Sequence, residues 1–245
     1  MTIVTVANQK GGVGKTTTAV TLAHGAAMKG MSVLLIDLDT QGNCADALGL
    51  EEGSELYEWL ILGHAIDLVT VKARERLDLI RSNKTTARLK VSLSGMDFRE
   101  MTLATALADY EHDLVIIDCP PSVDILHTAA LVVADLLIIP TKLDQFAIKG
   151  VIEMLRSLES VQRATKSNCK LAGIIPTFYD RVTNESQGQL ENLAGQYGGL
   201  VWPPIAQDTS CRVANRLGKT LWEMEGYPRA RTGYAECLER LLKVV

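Results

Sequence analysis

The chain has no CxxC pair. Its five cysteines, Cys44, Cys119, Cys169, Cys211 and Cys237, are scattered and odd in number. That argues against a disulfide framework and against a zinc site built on close cysteine pairs; reduced thiols of an intracellular protein are expected instead. No apolar run approaches the ~20 residues of a membrane-spanning helix. Met1 leads straight into an apolar strand with no charged segment ahead of it, so no secretory signal is expected. Linkers, repeats and low-complexity tracts are also missing, and the proline- and glycine-richer stretch 198–208 reads as a loop inside the domain. Net charge is −4, which excludes a chain that is basic all over but leaves room for a local basic patch. With 245 residues, 47% of them hydrophobic, the expectation is a single domain over 1–245 with a sizeable core.

What is present is an alternation of short apolar runs with helical patterns. "TIVTVAN" near the start, "SVLLID" (32–37), "LDLIRS" (77–82), "DLVIID" (113–118), "DLLIIP" (135–140) and "LAGIIPT" (171–177) read as strands. Several are apolar nearly throughout, as strands buried on both faces of a parallel sheet must be. Helical patterns fall at 15–29, 97–111, 122–133, 146–163, 184–197 and 228–243. The alternation predicts an α/β fold, a mostly parallel twisted sheet with helices on both faces.

The first strand runs into "NQKGGVGKTTTA" (8–19), which opens a helix. Glycines at 11, 12 and 14 let backbone N–H groups of Gly11, Gly12, Val13 and Gly14 turn inward around phosphate oxygens, and the helix N-terminus adds positive potential. Lys15 is placed to reach the β- and γ-phosphates, the Thr16 hydroxyl to ligate Mg²⁺, and Thr17 to serve the α-phosphate side. The usual phosphate-loop pattern begins with glycine; here Lys10 stands in that first position, and on local grounds it could be an exposed cation at a strand end.

"KGGVGKTT" resembles the deviant Walker A box of the ParA/MinD family of P-loop ATPases. "VLLIDLDTQGNCADALG" is similar to that family's second-strand motif, "DLVIIDCPPS" to its Walker B strand and switch II, and "GKTLWE" (218–223) to a feature that follows its nucleotide-base loop. The resemblance spans residue 2 to about 225. It implies an ATP-sandwich homodimer in which the lysine matching Lys10 crosses to the partner's phosphates. Such a crossing is physically reasonable: ATP with one Mg²⁺ keeps net negative charge, and a lysine from each side would make the dimer depend on bound triphosphate.

Asp37 and Asp39 bracket the end of the second strand, and period-two spacing points both to one side. There a carboxylate can orient water or water on Mg²⁺; the resemblance implies that Asp39 positions the attacking water. Thr40 replaces the family's usual proline, which leaves the switch I backbone less fixed. Asp118 ends an apolar strand and is the natural Walker B residue, binding Mg²⁺ through water. Cys119 behind it reads as buried filler. For the adenine base, "PPIAQDTS" (203–210) fits the family's loop loosely, with Asp208 at the acidic or amide position and turn duty as its alternative; Thr177 is a weaker candidate.

Three classes of activity follow from the resemblance. An iron-protein reductase would need cysteines that bridge a dimer near switch II, and none are paired there. A MinD-like membrane-surface ATPase would use an amphipathic C-terminal segment; "YAECLERLLKVV" qualifies, but the domain needs a closing helix and the chain stops there, so a core helix is expected and a membrane partner is not. A ParA-like positioning ATPase, of the small ParA type or a carboxysome-positioning McdA-like relative, would bind nucleoid DNA without sequence preference. A cargo adaptor would stimulate its hydrolysis, and it would be cytoplasmic and nucleoid-associated. Lys and Arg outnumber acids seven to two in 72–90, six to three in 142–170 and seven to five in 202–245; dimerisation would double any such patch.

Overall fold

A computed structural model describes all of residues 1–245. In chain order the elements are β1 (Thr2–Val6), α1 (Lys15–Met28), β2 (Val33–Asp37), α2 (Asn43–Ala47), α3 (Glu55–Leu60), α4 (Ile66–Val69), β3 (Val71–Arg74) and β4 (Leu77–Ile80). Then come α5 (Thr85–Ser94), α6 (Thr102–Ala106), β5 (Leu114–Asp118), α7 (Ile125–Val133), β6 (Leu136–Lys142) and α8 (Ala147–Thr165). The chain closes with β7 (Lys170–Thr177), α9 (Asn184–Tyr197), α10 (Ser210–Arg216) and α11 (Arg229–Leu241).

The strands form one seven-stranded sheet in the order β3-β4-β2-β5-β1-β6-β7. Every pairing is parallel except β3 with β4 at one edge. The unbroken apolar strands divide their side chains between two cores. Val4, Val33, Leu35, Leu114 and Ile116 face the side covered by α1 and α11. Ile3, Leu34, Ile36, Val115 and Ile117 face the side covered by α3, α5, α7 and α8. Alternation about the strand is what sends neighbours to opposite faces. α1 is buried along most of its length, and Gly25 lets α11 approach it: a Cβ there would lie 2.8 Å from Leu238.

Two sequence expectations need correction in detail. The helix expected over 97–111 is a 3-10 turn at Arg99–Met101 followed by the five-residue α6; Phe98, at φ +51°, breaks the pattern ahead of it. The edge strand β3 and the short helices α2, α3, α4, α5 and α10 were not expected. The C-terminal segment is a core helix, as expected: α11 buries Tyr234, Cys237, Leu238 and Leu241.

The register fixes where chemistry is possible. Val6 of β1 pairs with Asp118, and Asp118 pairs with Asp37. The carboxyl ends of three adjacent strands therefore converge beside the loop 8–14. Order reverses about β1, whose neighbours β5 and β6 both come later in the chain, and ligands of open α/β sheets bind at such a switch point.

Candidate nucleotide site

The glycine loop is open and pre-shaped. Gly14 caps α1 at φ +89° and Gly12 sits at φ +69°, backbone states that L side chains rarely adopt. A Cβ at Gly11 or Gly12 would meet nothing within 4 Å, and Gly11, Gly12 and Gly14 line an open cleft. Asn8 sets the loop's path: its amide donates to the Pro140 carbonyl (2.8 Å) and its oxygen accepts from Lys10 N–H (3.0 Å). Thr177 Oγ1 donates to the Val13 carbonyl (2.8 Å), tying β7 to the loop.

Lys15 is buried, and its ammonium donates to the Lys10 carbonyl at 3.1 Å. Burial pulls its pKa down, against the opposing pull of Asp118, Cys119 and Asp39. Lys10 itself does not line the phosphate-side cleft. Its ammonium is 2.5 Å from the Asp144 carboxylate and 5.3 Å from the centre of the Phe146 ring.

Thr16 Oγ1 donates to Asp118 Oδ2 at 2.6 Å, and the Cys44 thiol approaches the same oxygen at 3.5 Å. Asp118 Oδ1 is buried and has no partner. Burial raises the pKa of Asp118, and the charge of Asp37 raises it further. An orphaned carboxylate oxygen beside a threonine hydroxyl, an open phosphate cradle and a buried lysine together fit a divalent cation held on a nucleoside triphosphate, with oxygen ligands throughout.

Asp37 and Asp39 are placed differently: only Asp39 lines the phosphate-side cleft. β2 ends at Asp37, so the strand rule stops there. Asp37 is fully buried and accepts from the N–H groups of Asp39 (2.9 Å) and Cys44 (3.0 Å). Asp39 is half-buried and lines the phosphate-side cleft of about 540 Å³ with Gly11, Gly12, Lys15, Thr16 and Thr17. Nor is the backbone at Thr40 left loose by the missing proline: the Asp39 carbonyl accepts from Gly42 N–H and from Ser82 Oγ, and Asp39 Oδ1 from Gln41 N–H. Cys119 is buried, as expected, and burial pushes its thiol pKa well up.

A second cleft of about 400 Å³ adjoins the first and shares Gly14, Thr17, Phe178 and Asn215 with it. Asp208 lines it, but both carboxylate oxygens are engaged, Oδ1 by Ser210 N–H (2.9 Å) and Oδ2 by Ala230 N–H (3.2 Å). Those bonds are the turn duty its sequence context allowed, and they hold the pKa of Asp208 down against burial. Phe178, Arg212 and Asn215, which share this wall, were missed from sequence. Phe178 sits at φ +56° directly after β7; Arg212 and Asn215 lie on the unexpected α10.

The comparisons with known proteins agree with this geometry. The AAA domain family model AAA_31 matches residues 1–171. The chromosome partitioning protein ParA of Caulobacter vibrioides (strain NA1000 / CB15N) is 32% identical over 212 residues, covering 83% of this chain and 79% of ParA. This chain belongs to the ParA/MinD family of ATPases. Among solved members of this fold, an aspartate-to-alanine variant of Cyanothece McdA in complex with ATP superposes with a TM-score of 0.89 at 25% identity, covering 98% of this chain and 96% of that one. Cobyrinic acid a,c-diamide synthase of Mycobacterium smegmatis, with a bound ATP analogue and magnesium, gives 0.79 at 35% identity and covers 89% and 92%. Within this ParA/MinD-family chain, three of the seven basic residues in 72–90 are already paired: Arg74 with Glu223, Arg81 with Glu55 and Lys90 with Asp124. In 202–245 no basic residue is in an ion pair. No helix is long and apolar enough to cross a membrane.

Proposed function

We propose that this chain is a Mg²⁺-dependent ATPase that dimerises on ATP, binds nucleoid DNA as the dimer, and positions a cargo whose adaptor stimulates hydrolysis. The observation that carries the reading is the division of labour between two lysines. Lys15 is buried beneath the loop with its ammonium turned to the loop backbone, while Lys10 lies outside the cleft on Asp144. A second lysine is redundant for gripping phosphate within one protomer and useful between two.

In this reading the N–H groups of Gly11, Gly12, Val13 and Gly14 cradle the phosphates with Lys15, Thr16 and Thr17. Thr16 and Asp118, with Asp39 through water, hold Mg²⁺, which offsets phosphate charge. Asp39 orients the attacking water. The base occupies the cleft between Phe178 and α10, with Asp208 shaping that wall. Lys10 leaves Asp144 and reaches a partner's phosphates. The unpaired cations of 202–245 favour a polyanionic surface, and the burial of Leu238 and Leu241 where α11 packs on α1 disfavours α11 as a membrane anchor.

The test is gel filtration and a DNA mobility shift with ATP, ADP and no nucleotide. Wild type is expected to elute as a dimer and to shift DNA with ATP alone, the shift fading steeply with salt. Lys10→Ala should still bind ATP and remain monomeric. A Lys10→Ala protein that dimerises on ATP, or a DNA shift equal in ADP, would overturn the proposal.

A further inference from the structure

Arg74 stands at the end of the edge strand β3, next to a register shift between Lys72 and Arg74. A bulge of that kind re-aims a side chain. The guanidinium has five N–H donors, and every one has a protein acceptor here. Nε–H donates to Glu223 Oε1 (2.7 Å) and one Nη2–H to Glu223 Oε2 (3.1 Å), a two-pronged ion pair. The other Nη2–H goes to the Gly218 carbonyl (2.9 Å), and Nη1 donates to the carbonyls of Leu48 (3.0 Å) and Ala73 (2.7 Å).

Two of those carbonyls end short helices. Leu48 caps the C-terminus of α2, and Gly218 follows the C-terminal cap of α10. Helix C-termini carry orphan carbonyls and negative potential, so a cation placed there stabilises both ends at once. The backbones also touch: a Cβ on Gly218 would lie 2.4 Å from the Gly49 Cα. Glu223 Oε2 further accepts from Thr220 N–H (2.8 Å), and Thr220 Oγ1 meets His24 Nδ1 on α1 at 2.7 Å.

The two clamped helices wall different halves of the nucleotide cleft. α2 contributes Asn43 and Asp46 to the phosphate side, which also holds Asp39; α10 contributes Cys211 and Arg212 to the base side; Asn215 of α10 reaches both. We infer that Arg74 is a positioning residue that transmits occupancy of the base cleft to the Asp39–Leu48 segment, so that seating the base helps set the group that orients water. "GKTLWE" is then the receiving half of the clamp: Gly218 supplies close approach and a carbonyl, Thr220 the bond to α1, and Glu223 the carboxylate for Arg74. The kinetic consequence rests on the proposed hydrolysis; the structural one needs only nucleotide binding.

Backbone hydrogen exchange with ADP as the probe separates these. In wild type, ADP is expected to slow exchange at 11–17 and also at 43–50. In Arg74→Gln, protection of 11–17 is kept and that of 43–50 falls about tenfold, the size of a typical coupling between sites. Arg74→Lys, which keeps charge but loses the fork, should fall between. Glu223→Gln gives the same reading at smaller amplitude if Arg74→Gln does not fold. In ATP turnover, kcat should drop about tenfold with KM nearly unchanged. Equal ADP-induced protection of 43–50 in wild type and variants, even beside a lowered Tm, would show a merely structural ion pair and overturn the inference. A wild type that binds ADP but hydrolyses no ATP would overturn the proposed function, and the exchange readout would still decide the role of Arg74.

Discussion

Replacing Asp118 by Asn should make the nucleotide-free protein more stable at pH 8 while destroying its activity. Asp118 and Asp37 are neighbours in register and both fully buried. Burial raises Asp118 to about 8, with the charge of Asp37 adding to it. Asp37 rises to about 6, chiefly through burial, with backbone N–H groups of Asp39 and Cys44 opposing. In the unfolded chain both titrate near about 3.9. Between about pH 4 and pH 8 the folded state therefore binds more protons than the unfolded state, and stability falls as pH rises. Asn keeps the shape and an acceptor for Thr16 while deleting the charge. A pKa raised by burial and by a like charge costs the folded state once the group ionises, so at pH 8 Asp118 weakens the fold by on the order of a few kcal/mol. Burying an amide in place of the neutral carboxyl offsets about 1–2 kcal/mol of that. The net expectation is a gain on the order of a few kcal/mol for Asp118→Asn at pH 8, shrinking as pH falls and turning into a small loss near pH 4. The assay is urea unfolding of both proteins without nucleotide or metal, across that range. His24 and His127, both pushed down by burial, weaken both proteins alike as pH falls and cancel in the difference. A variant less stable than wild type at pH 8, or a difference flat with pH, would refute the picture of two buried carboxylates crowded at adjacent strand ends.

Two further outcomes are expected. Gly218→Ala places a Cβ 2.4 Å from the Gly49 Cα at a backbone φ of +62° and should cost about 1–3 kcal/mol, read as a lowered Tm; an unchanged Tm would mean that the two loops part freely. Asp144→Asn removes the ion pair that holds Lys10, whose partners are partly exposed, so it is worth at most about 1 kcal/mol. It should lower the ATP concentration needed for dimerisation by up to about fivefold, measured by light scattering; a higher requirement would assign Asp144 to the interface itself.

The parts legible in sequence are those governed by local physics. "LVIID" carries the mark of a strand buried on both faces, and "GGVGKTT" between a strand and a helix that of a loop able to turn its amides inward. Harder to read were segments whose structure is made by distant contacts. β3 has one buried residue, Ala73, in four, too little pattern to signal a strand; it exists because β4 offers an edge. α2 and α10 are five and seven residues long, short of what propensity alone supports, and their ends are satisfied by Arg74 from another part of the chain. Asp208 shows the limit for site residues: its place in the cleft wall was readable, but the two N–H groups that occupy its oxygens, one from α11, were not.

The same contrast bears on the two lysines of the loop. The buried Lys15 ammonium lies within reach of Asp118 and Asp39, with Asp37 beside Asp118 in register, and burial raises the pKa of both strand-end carboxyls. A triphosphate adds negative charge to that site, and a divalent cation offsets only part of it. Lys10 is poorly placed to supply the rest from within its own chain. Its carbonyl is the acceptor for the Lys15 ammonium, and its side chain leaves the loop toward Asp144 and Phe146. Released outward, it gives up a partly exposed ion pair and its place over the Phe146 ring. Under the proposed function an identical loop facing the site would supply the remaining cation, and dimerisation would then follow the triphosphate.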